Sequence, residues 1–419
     1  MRIPLAGKAG RLFALLTIAT FFEGFDTRLV ALVQPVIGRE FGATREALGQ
    51  AVGLSSLGMV FAFFVIHWAD RIGRRPVFLG ALAGYAVLTL ATAFAPSLAA
   101  FTALQFFARM AMVVELGLAY LILSEEMPAE IRGRVNGVFG GCVAIGASVP
   151  DALLHPLDQW GIGWRGLFLI GAVPLLLFPF YYRHLAETTA FRARKAARST
   201  AGSTFAGELA LLRVLVSGLH RRRLAAITAL WVLVNFWSGS ALYSFTLYVF
   251  EERGWRAEDL VLLPLGTIPC GLFGYSLAGF AMDRIGRRGA ASLYFLVAAG
   301  ATVVCYQASG GGPILAGYFA LVGLGGIWAI VTTWTAELFP TELRATASGF
   351  ANNLVGRFGL VFGPIVTGLL GGALASTADA VSWLALVPLL GIPIAWSLPE
   401  TNAIELAASD TAAAAEGIS

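Results

Sequence analysis

Long apolar stretches follow one another along almost the whole chain, and they constrain its fold more than any other feature. Each is about 20 residues long, the length at which an α-helix crosses the hydrocarbon core of a bilayer with its backbone groups bonded internally. Only 13% of the residues are charged and 58% are hydrophobic, a balance outside the range of soluble proteins. The sequence therefore predicts an all-α membrane protein with twelve transmembrane helices. The predicted spans are 12–37, 48–68, 77–95, 99–123, 135–155, 165–183, 223–250, 259–281, 290–308, 313–336, 345–370 and 376–398.

Two motifs occur twice in the chain at almost the same spacing. ADRIGRRP at 69–76 recurs as MDRIGRRG at 282–289, and EEMPAEIRG at 125–133 recurs as ELFPTELRA at 337–345. Asp70 and Asp283 are 213 residues apart, and Pro128 and Pro340 are 212 apart. Such a duplication of half the chain points to a two-half membrane transporter. The predicted parts are a six-helix bundle at 1–183, a cytoplasmic linker at 184–222, a second six-helix bundle at 223–398 and a cytoplasmic tail at 399–419.

Basic residues set the predicted orientation. With both termini in the cytoplasm, 21 of the 29 Lys and Arg residues lie on the inner side, as the positive-inside rule requires. This distribution accounts for the net charge of +4, so no nucleic-acid partner is expected. The apolar run after the short basic N-terminus is longer than a signal-peptide core, and we interpret it as a retained first helix. Cys142, Cys270 and Cys305 fall inside predicted helices without metal-ligand spacing, so neither a disulfide nor a metal is expected.

The duplicated DRIGRR motif resembles the signature of the major facilitator superfamily, and the resemblance covers essentially the whole chain. The first copy, HWADRIGRR, lacks the usual leading glycine, whereas the second, GFAMDRIGRR, is complete from Gly279. The resemblance implies a cytoplasmic gate, in which a carboxylate pairs with loop arginines and accepts from a helix N-terminus. An ordinary basic loop would explain the arginines but not the repeated Asp and Gly. The expected gate residues are Asp70, Arg71, Gly73, Arg74, Asp283, Arg284, Gly286 and Arg287, with Glu125, Arg132, Glu337 and Arg344 from the second motif.

Ionisable residues inside the predicted helices are the best indicators of function, since each costs roughly 3 kcal/mol on insertion scales. Asp26 and Arg109 each lie 14 residues from the cytoplasmic end of their helices, ~21 Å deep at the rise of an α-helix. A carboxylate that separates from an arginine in a dry site takes up a proton, so this pair suggests proton coupling. A static ion pair between helices one and four is the alternative. Glu23 lies one turn before Asp26 and is a candidate relay, while Arg28 points elsewhere on an ideal helix.

EGFD at 23–26 resembles the DGxD element of the aromatic-acid:proton symporter branch, which implies proton coupling for Asp26 and Glu23. VGRFG at 355–359 resembles helix eleven of the same branch and implies that Arg357 faces the cavity. Its planar guanidinium suits a substrate carboxylate, although a structural role at a helix end is the alternative. LPETN at 398–402 resembles the segment after helix twelve in sugar-porter-like relatives. Further candidates for binding a ring and its polar groups are Asn235, Trp237, Tyr243, Trp328, Asn352 and Asn353, with packing as the alternative for the aromatics.

Two further sets of polar residues have open roles. In the family that this chain resembles, helix four is glycine-rich after its arginine, whereas here it contains Glu115. Glu115 is a candidate second proton site or a partner for a basic group. Asp151 and His155 lie one turn apart near the outer end of helix five. They are either a pH-sensitive outer gate or simply solvated.

Together these features predict a proton-coupled symporter that imports a small organic anion, aromatic or another carboxylate, with H⁺ as the coupling ion. We expect no cofactor, no enzyme activity and a monomer in the bacterial inner membrane. A sugar or polyol porter, a drug or metabolite exporter and a non-transporting sensor are the alternatives. The charged residues Glu23, Asp26, Arg109 and Glu115 have no charged counterpart 212 or 213 residues later, which places the predicted proton chemistry in the N-terminal half.

Overall fold

The computed structural model describes residues 7–127, 129–188, 214–216 and 220–401. These residues are helical almost throughout, and none of them forms a β-strand. They cluster into two compact units. Unit 1 comprises 1–202 and 246–268, and unit 2 comprises 203–245 and 269–419.

The helices that begin in the first half of the chain are long and follow one another with short connections. They are α1 (Gly7–Phe41), α2 (Arg45–Ile72), α3 (Arg74–Thr92), α4 (Leu98–Glu126), α5 (Ala129–Gln159), α6 (Trp164–Gly171) and α7 (Val173–His184). Side-chain caps begin two of them, because the hydroxyls of Thr44 and Ser97 accept hydrogen bonds from the backbone three residues later. Such caps satisfy backbone donors that a helix start leaves without a partner.

The second half of the chain is more interrupted. Its α-helices are α8 (His220–Trp237), α9 (Phe245–Glu251), α10 (Ala257–Leu260), α11 (Leu263–Gln307), α12 (Gly311–Gly323), α13 (Ile327–Glu337), α14 (Thr341–Ser348), α15 (Phe358–Leu374), α16 (Thr377–Leu384) and α17 (Gly391–Ser397). Two π-helices, Ser238–Leu242 and Gly349–Gly356, join α8 towards α9 and α14 to α15. Short 3-10 helices lie at Leu324–Gly326 and Val387–Leu390. π-Helices are rare and often occur at functional sites. These two segments therefore mark the seventh and eleventh predicted spans, 223–250 and 345–370, as candidate functional regions.

The predicted all-helical membrane fold is confirmed, and the described residues contain ten to twelve apolar helical spans. Ten helical spans are long and apolar enough to cross a membrane. One of them, Ala257–Gln307, has 51 residues and contains a non-helical break at Gly286, so it provides two crossings. The remaining crossing is α1, which has 35 residues but carries three charged side chains near its middle. Most of the predicted linker lies outside the described residues, so the exact boundaries between the halves stay a prediction.

The crossing of α1 and α5 shows how unit 1 is held together. A β-carbon on Gly24 would collide with the carbonyl of Val143, and one on Gly146 would collide with the carbonyl of Phe21. The two backbones therefore touch directly, as small residues allow in membrane proteins, where dispersion contacts replace the hydrophobic effect. This close approach brings the charged side chains of α1 within reach of neighbouring helices.

Candidate functional site

Asp26 lies in a buried polar niche between α1, α3 and the end of α6. Its side chain is 8% exposed, and its Oδ2 accepts a hydrogen bond of 2.8 Å from the hydroxyl of Thr89. A β-carbon on Gly171 would collide with Oδ1 of Asp26, so the glycine makes room for the carboxyl group. Among the described residues Oδ1 has no hydrogen-bond partner. Asp26 is therefore a buried acid with a single hydrogen bond.

Arg109 lies in the same bundle, but it reaches a different partner. Its side chain is 2% exposed, and Nη1 donates to the hydroxyl of Ser56 on α2 over 2.9 Å. Arg109 attracts Asp26 electrostatically, whereas Glu23 repels it. In the described part of the chain no ion pair joins Asp26 directly to Arg109. The two predicted partners are thus near enough to influence one another without being locked together.

Glu23 and Glu115 complete a group of acids inside unit 1. The hydroxyl of Thr27 donates to Oε1 of Glu23 over 3.3 Å and to its carbonyl over 3.0 Å. Glu23 is 5% exposed and Glu115 is fully buried. The structure therefore brings together three of the four residues predicted for proton coupling, Glu23, Asp26 and Arg109, and places Glu115 within electrostatic reach of Glu23.

A buried ion pair that the sequence did not reveal joins α1 to α5. Arg28 donates from Nε and Nη2 to Oδ1 of Asp151 over 3.0 and 2.8 Å, and from Nη2 to the hydroxyl of Thr246 over 3.1 Å. Arg28 and Asp26 have different partners, Asp151 and Thr89. The solvated alternative for Asp151 is wrong, because its side chain is 2% exposed. His155 instead lies beside Gln159, with 3.0 Å between Nε2 of each.

Beyond the predicted first span, Glu40 forms a more exposed pair at the end of α1. Arg165 donates to both of its carboxylate oxygens over 2.9 and 2.6 Å, and the indole of Trp164 donates over 2.7 Å. The hydrogen bonding from Arg165 holds the pKa of Glu40 below its usual range, against the opposing effect of partial burial. This carboxylate is consequently a charged surface anchor.

In unit 2, Arg357 directly follows the π-helix Gly349–Gly356. Its side chain is half-buried, and Nη2 lies 3.5 Å from Oδ1 of Asn353. The backbone N–H of Arg357 donates to the carbonyl of Asn352, which is also half-buried. Three polar residues of the eleventh predicted span therefore lie together in a segment of irregular backbone: Asn352, Asn353 and Arg357.

The remaining predicted substrate residues differ in their surroundings. Asn235 is 3% exposed and donates to the carbonyl of Trp231, one turn earlier on α8. Trp237 is also 3% exposed, and its indole donates to the hydroxyl of Thr302 over 3.0 Å, which is a packing contact inside unit 2. Tyr243 is half-buried and Trp328 is 38% exposed. Trp237 is thus buried and hydrogen-bonded, whereas Arg357, Asn352 and Asn353 are half-buried.

Only some residues of the first copy of the gate lie within the described part of the chain. The side chains of Asp70, Arg71, Glu125 and Arg132 lie outside the described residues. Gly73 has a φ of 123°, and the following Arg74 is 1% exposed.

In the second copy Arg287 pairs with Glu337 over 2.6 Å, which joins the two duplicated motifs of this half. Asp283 is exposed, and Arg284 lies over the ring of Phe280. Arg344 donates to the carbonyl of Ala336 over 2.6 Å and so caps the end of α13. The structure thus assigns Glu337 and Arg344 separate partners.

A third repeated element accepts hydrogen bonds from the backbone of each copy of the DRIGRR motif, where the next helical segment begins. Glu187 accepts from the backbone N–H groups of Arg74 (3.1 Å) and Arg75 (3.2 Å). Glu400 accepts in the same way from Arg287 (2.8 Å) and Arg288 (3.0 Å). A carboxylate at a helix N-terminus satisfies backbone donors and complements the helix dipole.

The sequence contains a signal for this element. LAET at 185–188 and LPET at 398–401 are 213 residues apart, the spacing of the first duplicated motif. The backbone glycines fit the same arrangement, because a β-carbon would lie 2.5 Å from Oε2 of Glu187 at Gly73 and 2.6 Å from Oε2 of Glu400 at Gly286. Only the LPETN copy was recognised from the sequence.

Comparison with known proteins agrees with this architecture. The family model of the Major Facilitator Superfamily matches residues 16–364. The chain is 25% identical to the niacin transporter NiaP of Acinetobacter baylyi, over 82% of this chain and 83% of the relative. It is 26% identical to a gallate transporter of Pseudomonas putida, over 93% of this chain and 90% of the relative. The inward open structure of the xylose transporter XylE from E. coli superposes with a TM-score of 0.73 at 16% identity, covering 97% and 99% of the two chains, and supports the fold alone.

Proposed function

Because this chain belongs to the Major Facilitator Superfamily, we propose that it is a proton-coupled symporter that imports an aromatic or other small carboxylate. The relatives named above transport niacin and gallate, each a carboxylate on an aromatic ring, and they align over most of the chain. Family and relatives are transporters rather than enzymes. The observation that carries the coupling is Asp26, a buried carboxyl with one hydrogen bond and no direct cationic partner in the described part of the chain.

The coupling follows from the energetics of a charge in a dry site. Burial favours the neutral form of a carboxyl group, whereas a nearby guanidinium favours the ionised form. Both effects apply to Asp26, because its carboxyl group is buried and Arg109 attracts it electrostatically without forming an ion pair with it. A rearrangement of helices α1 and α4 that changes this separation makes Asp26 bind or release a proton. One proton moving through 100 mV supplies about 2.3 kcal/mol for accumulating substrate.

Arg357 is the proposed anchor of the substrate carboxylate. A guanidinium presents a planar fork of donors that matches a carboxylate, and it keeps its charge at every physiological pH. Asn352 and Asn353 lie within one turn of it and supply amide groups for ring substituents. The distribution of Lys and Arg supports an inner-membrane protein with both termini in the cytoplasm, and we propose that it acts as a monomer.

Replacement of Asp26 by Asn tests the coupling. In proteoliposomes the variant Asp26→Asn should lose accumulation driven by a pH gradient but keep the exchange of internal for external substrate. Asp158→Asn, the same change at an exposed acid near the end of α5, is the matched control and should behave as the wild type. Concentrative uptake that survives in Asp26→Asn would refute the role.

Competition experiments test the substrate class. Uptake should be inhibited by benzoate-like acids and not by hexoses or polyols, and Arg357→Ala should weaken binding of the acids. Arg357→Lys keeps the charge but loses the planar fork, so its affinity for the acids should lie between those of the wild type and Arg357→Ala. An unchanged dissociation constant in Arg357→Ala would rule out this anchor, and inhibition by hexoses instead of acids would favour a sugar porter.

A further inference from the structure

Glu115 is a buried acid that the ion pairs described above do not use. It lies on α4, its side chain is fully buried, and neither carboxyl oxygen has a hydrogen-bond partner among the described residues. The hydroxyl of Tyr85 on α3 is in the same condition, with no exposed surface and no hydrogen-bond partner. A buried carboxyl group with neither oxygen hydrogen-bonded is unusual, because nearly all buried polar groups in proteins are hydrogen-bonded.

The titratable groups around Glu115 come from three other helices. Glu23 of α1 repels it electrostatically, and Tyr85 of α3 and Tyr181 of α7 lie within electrostatic reach of it. The hydroxyl of Tyr181 donates to the carbonyl of Leu15 over 2.8 Å.

The other helices packed near Glu115 add no compensating charge in their described portions. Between residues 47 and 66, α2 has no titratable side chain. On α5, Asp151 is engaged by Arg28, and Cys142 is an uncharged thiol. On α4 itself, the guanidinium of Arg109 donates to the hydroxyl of Ser56. No basic group in the described residues is placed to neutralise an ionised Glu115.

These surroundings determine the protonation of Glu115. An ionised carboxylate without a partner in a low-dielectric interior is far costlier than its neutral acid, and the like charge of Glu23 adds to that cost. Glu115 is therefore a carboxylic acid that holds a proton in this conformation. Tyr85 of α3 interacts electrostatically with Glu115, Glu23 and Asp26.

On the basis of the proton coupling proposed above, we infer that Glu115 is a second proton-binding site of the transport cycle and shares one proton with Glu23. The two carboxyl groups are not hydrogen-bonded to each other in this conformation, so the transfer takes place when a helix rearrangement brings them within hydrogen-bond distance. The O–H bond of Glu115 then breaks and an O–H bond forms on Glu23, which leaves the net charge unchanged. Glu23 is one helical turn from Asp26, which connects the shared proton to the coupling site.

Infrared difference spectroscopy on the purified full-length protein tests the protonation directly. A buried neutral acid gives a carbonyl stretch that a carboxylate lacks, and this band should disappear in Glu115→Gln. It should persist in Glu23→Gln, where Glu115 keeps its proton, and in the control Glu258→Gln, which alters an exposed acid. A band retained in Glu115→Gln, or lost in Glu23→Gln, would assign the proton elsewhere and overturn the inference.

Transport stoichiometry tests the participation of this proton in the cycle. The number of protons moved per substrate molecule, measured in proteoliposomes from the reversal of flux, should fall in Glu115→Gln. An unchanged number in a variant that has lost the band would make Glu115 a static neutral acid and overturn the inference while leaving the proposed symport intact. A wild type that moves no protons would refute the symport itself. If Glu115→Gln does not fold, Tyr85→Phe provides the second measurement, since loss of a buried hydroxyl that interacts electrostatically with these acids should slow proton-driven uptake but not substrate exchange.

Discussion

The buried ion pair between Arg28 and Asp151 allows a quantitative test of how unit 1 is stabilised. The two side chains are 9% and 2% exposed, and three donor–acceptor distances of 2.8 to 3.2 Å join them. Asp151→Asn leaves the guanidinium charged, buried and without its counter-ion. Breaking a buried pair from one side costs about 3–5 kcal/mol of folding free energy, most of it the desolvation of the remaining charge. The hydrogen bond from Arg28 to Thr246 compensates only a part of this, since bonds to charged groups contribute about 1.5–3 kcal/mol.

The double variant Arg28→Met with Asp151→Leu separates the charge from the packing. The double variant removes both ions together, so its loss of unfolding free energy should be far below the sum of the losses in Arg28→Met and Asp151→Leu alone. The double replacement can even be neutral. Arg45→Met is the matched control, because its partner Glu251 is joined at 3.1 Å and both side chains are 26% exposed. An exposed pair of this kind contributes at most about 1 kcal/mol.

Unfolding in denaturant, followed by tryptophan fluorescence in detergent micelles, gives the required free energies. A change in the midpoint without a change in the slope reports stability alone. The reasoning would be refuted if the loss of unfolding free energy in the double variant equalled the sum of the losses in Arg28→Met and Asp151→Leu. A loss in Asp151→Asn no larger than that in Arg45→Met would do the same.

Three further predictions concern single positions. Gly171→Ala should displace the coupling carboxyl and lower proton-driven accumulation, at a stability cost of about 1–3 kcal/mol for overpacking, whereas Gly80→Ala, where a β-carbon meets open space, should change neither uptake nor unfolding. Glu187→Gln and Glu400→Gln should each cost about 0.5–2 kcal/mol as lost helix caps, and the two costs should add in the double variant, because the two carboxylates accept from different backbone groups; strong non-additivity in unfolding measurements would contradict this. Glu40 has a lowered pKa in the folded state, so its contribution is present above the pKa of the unfolded chain and is lost as pH falls through the folded value. Glu40→Gln should therefore be less stable than the wild type at pH 7 by at most about 1 kcal/mol, with the difference vanishing in acid; a gap that widens towards low pH would contradict the sign.

The acids of the candidate site could be found from the sequence because charges are conspicuous inside apolar helices. Asp26, Glu23 and Glu115 needed no tertiary information, since each interrupts a membrane span at a cost that an unneeded residue would avoid. Their partners could not be found in this way. The depth of Asp26 and Arg109 suggested a direct pair, whereas the structure joins Asp26 to Thr89 and Arg109 to Ser56. Depth along a helix gives a level in the membrane but does not specify which neighbouring helix a side chain faces.

The all-helical membrane fold, its duplication and the charged positions in the spans of the first half all follow from the amino-acid sequence alone. These properties depend on local composition and on spacing along the chain, and the bilayer turns them directly into helices. The three-dimensional structure was needed to show that Arg28 pairs with Asp151, 123 residues away, and that Glu187 and Glu400 accept hydrogen bonds from the backbone of the duplicated motif. Those contacts depend on how each helix is rotated and which helix packs beside it, and that is settled by the close fit of many side chains and glycines at once.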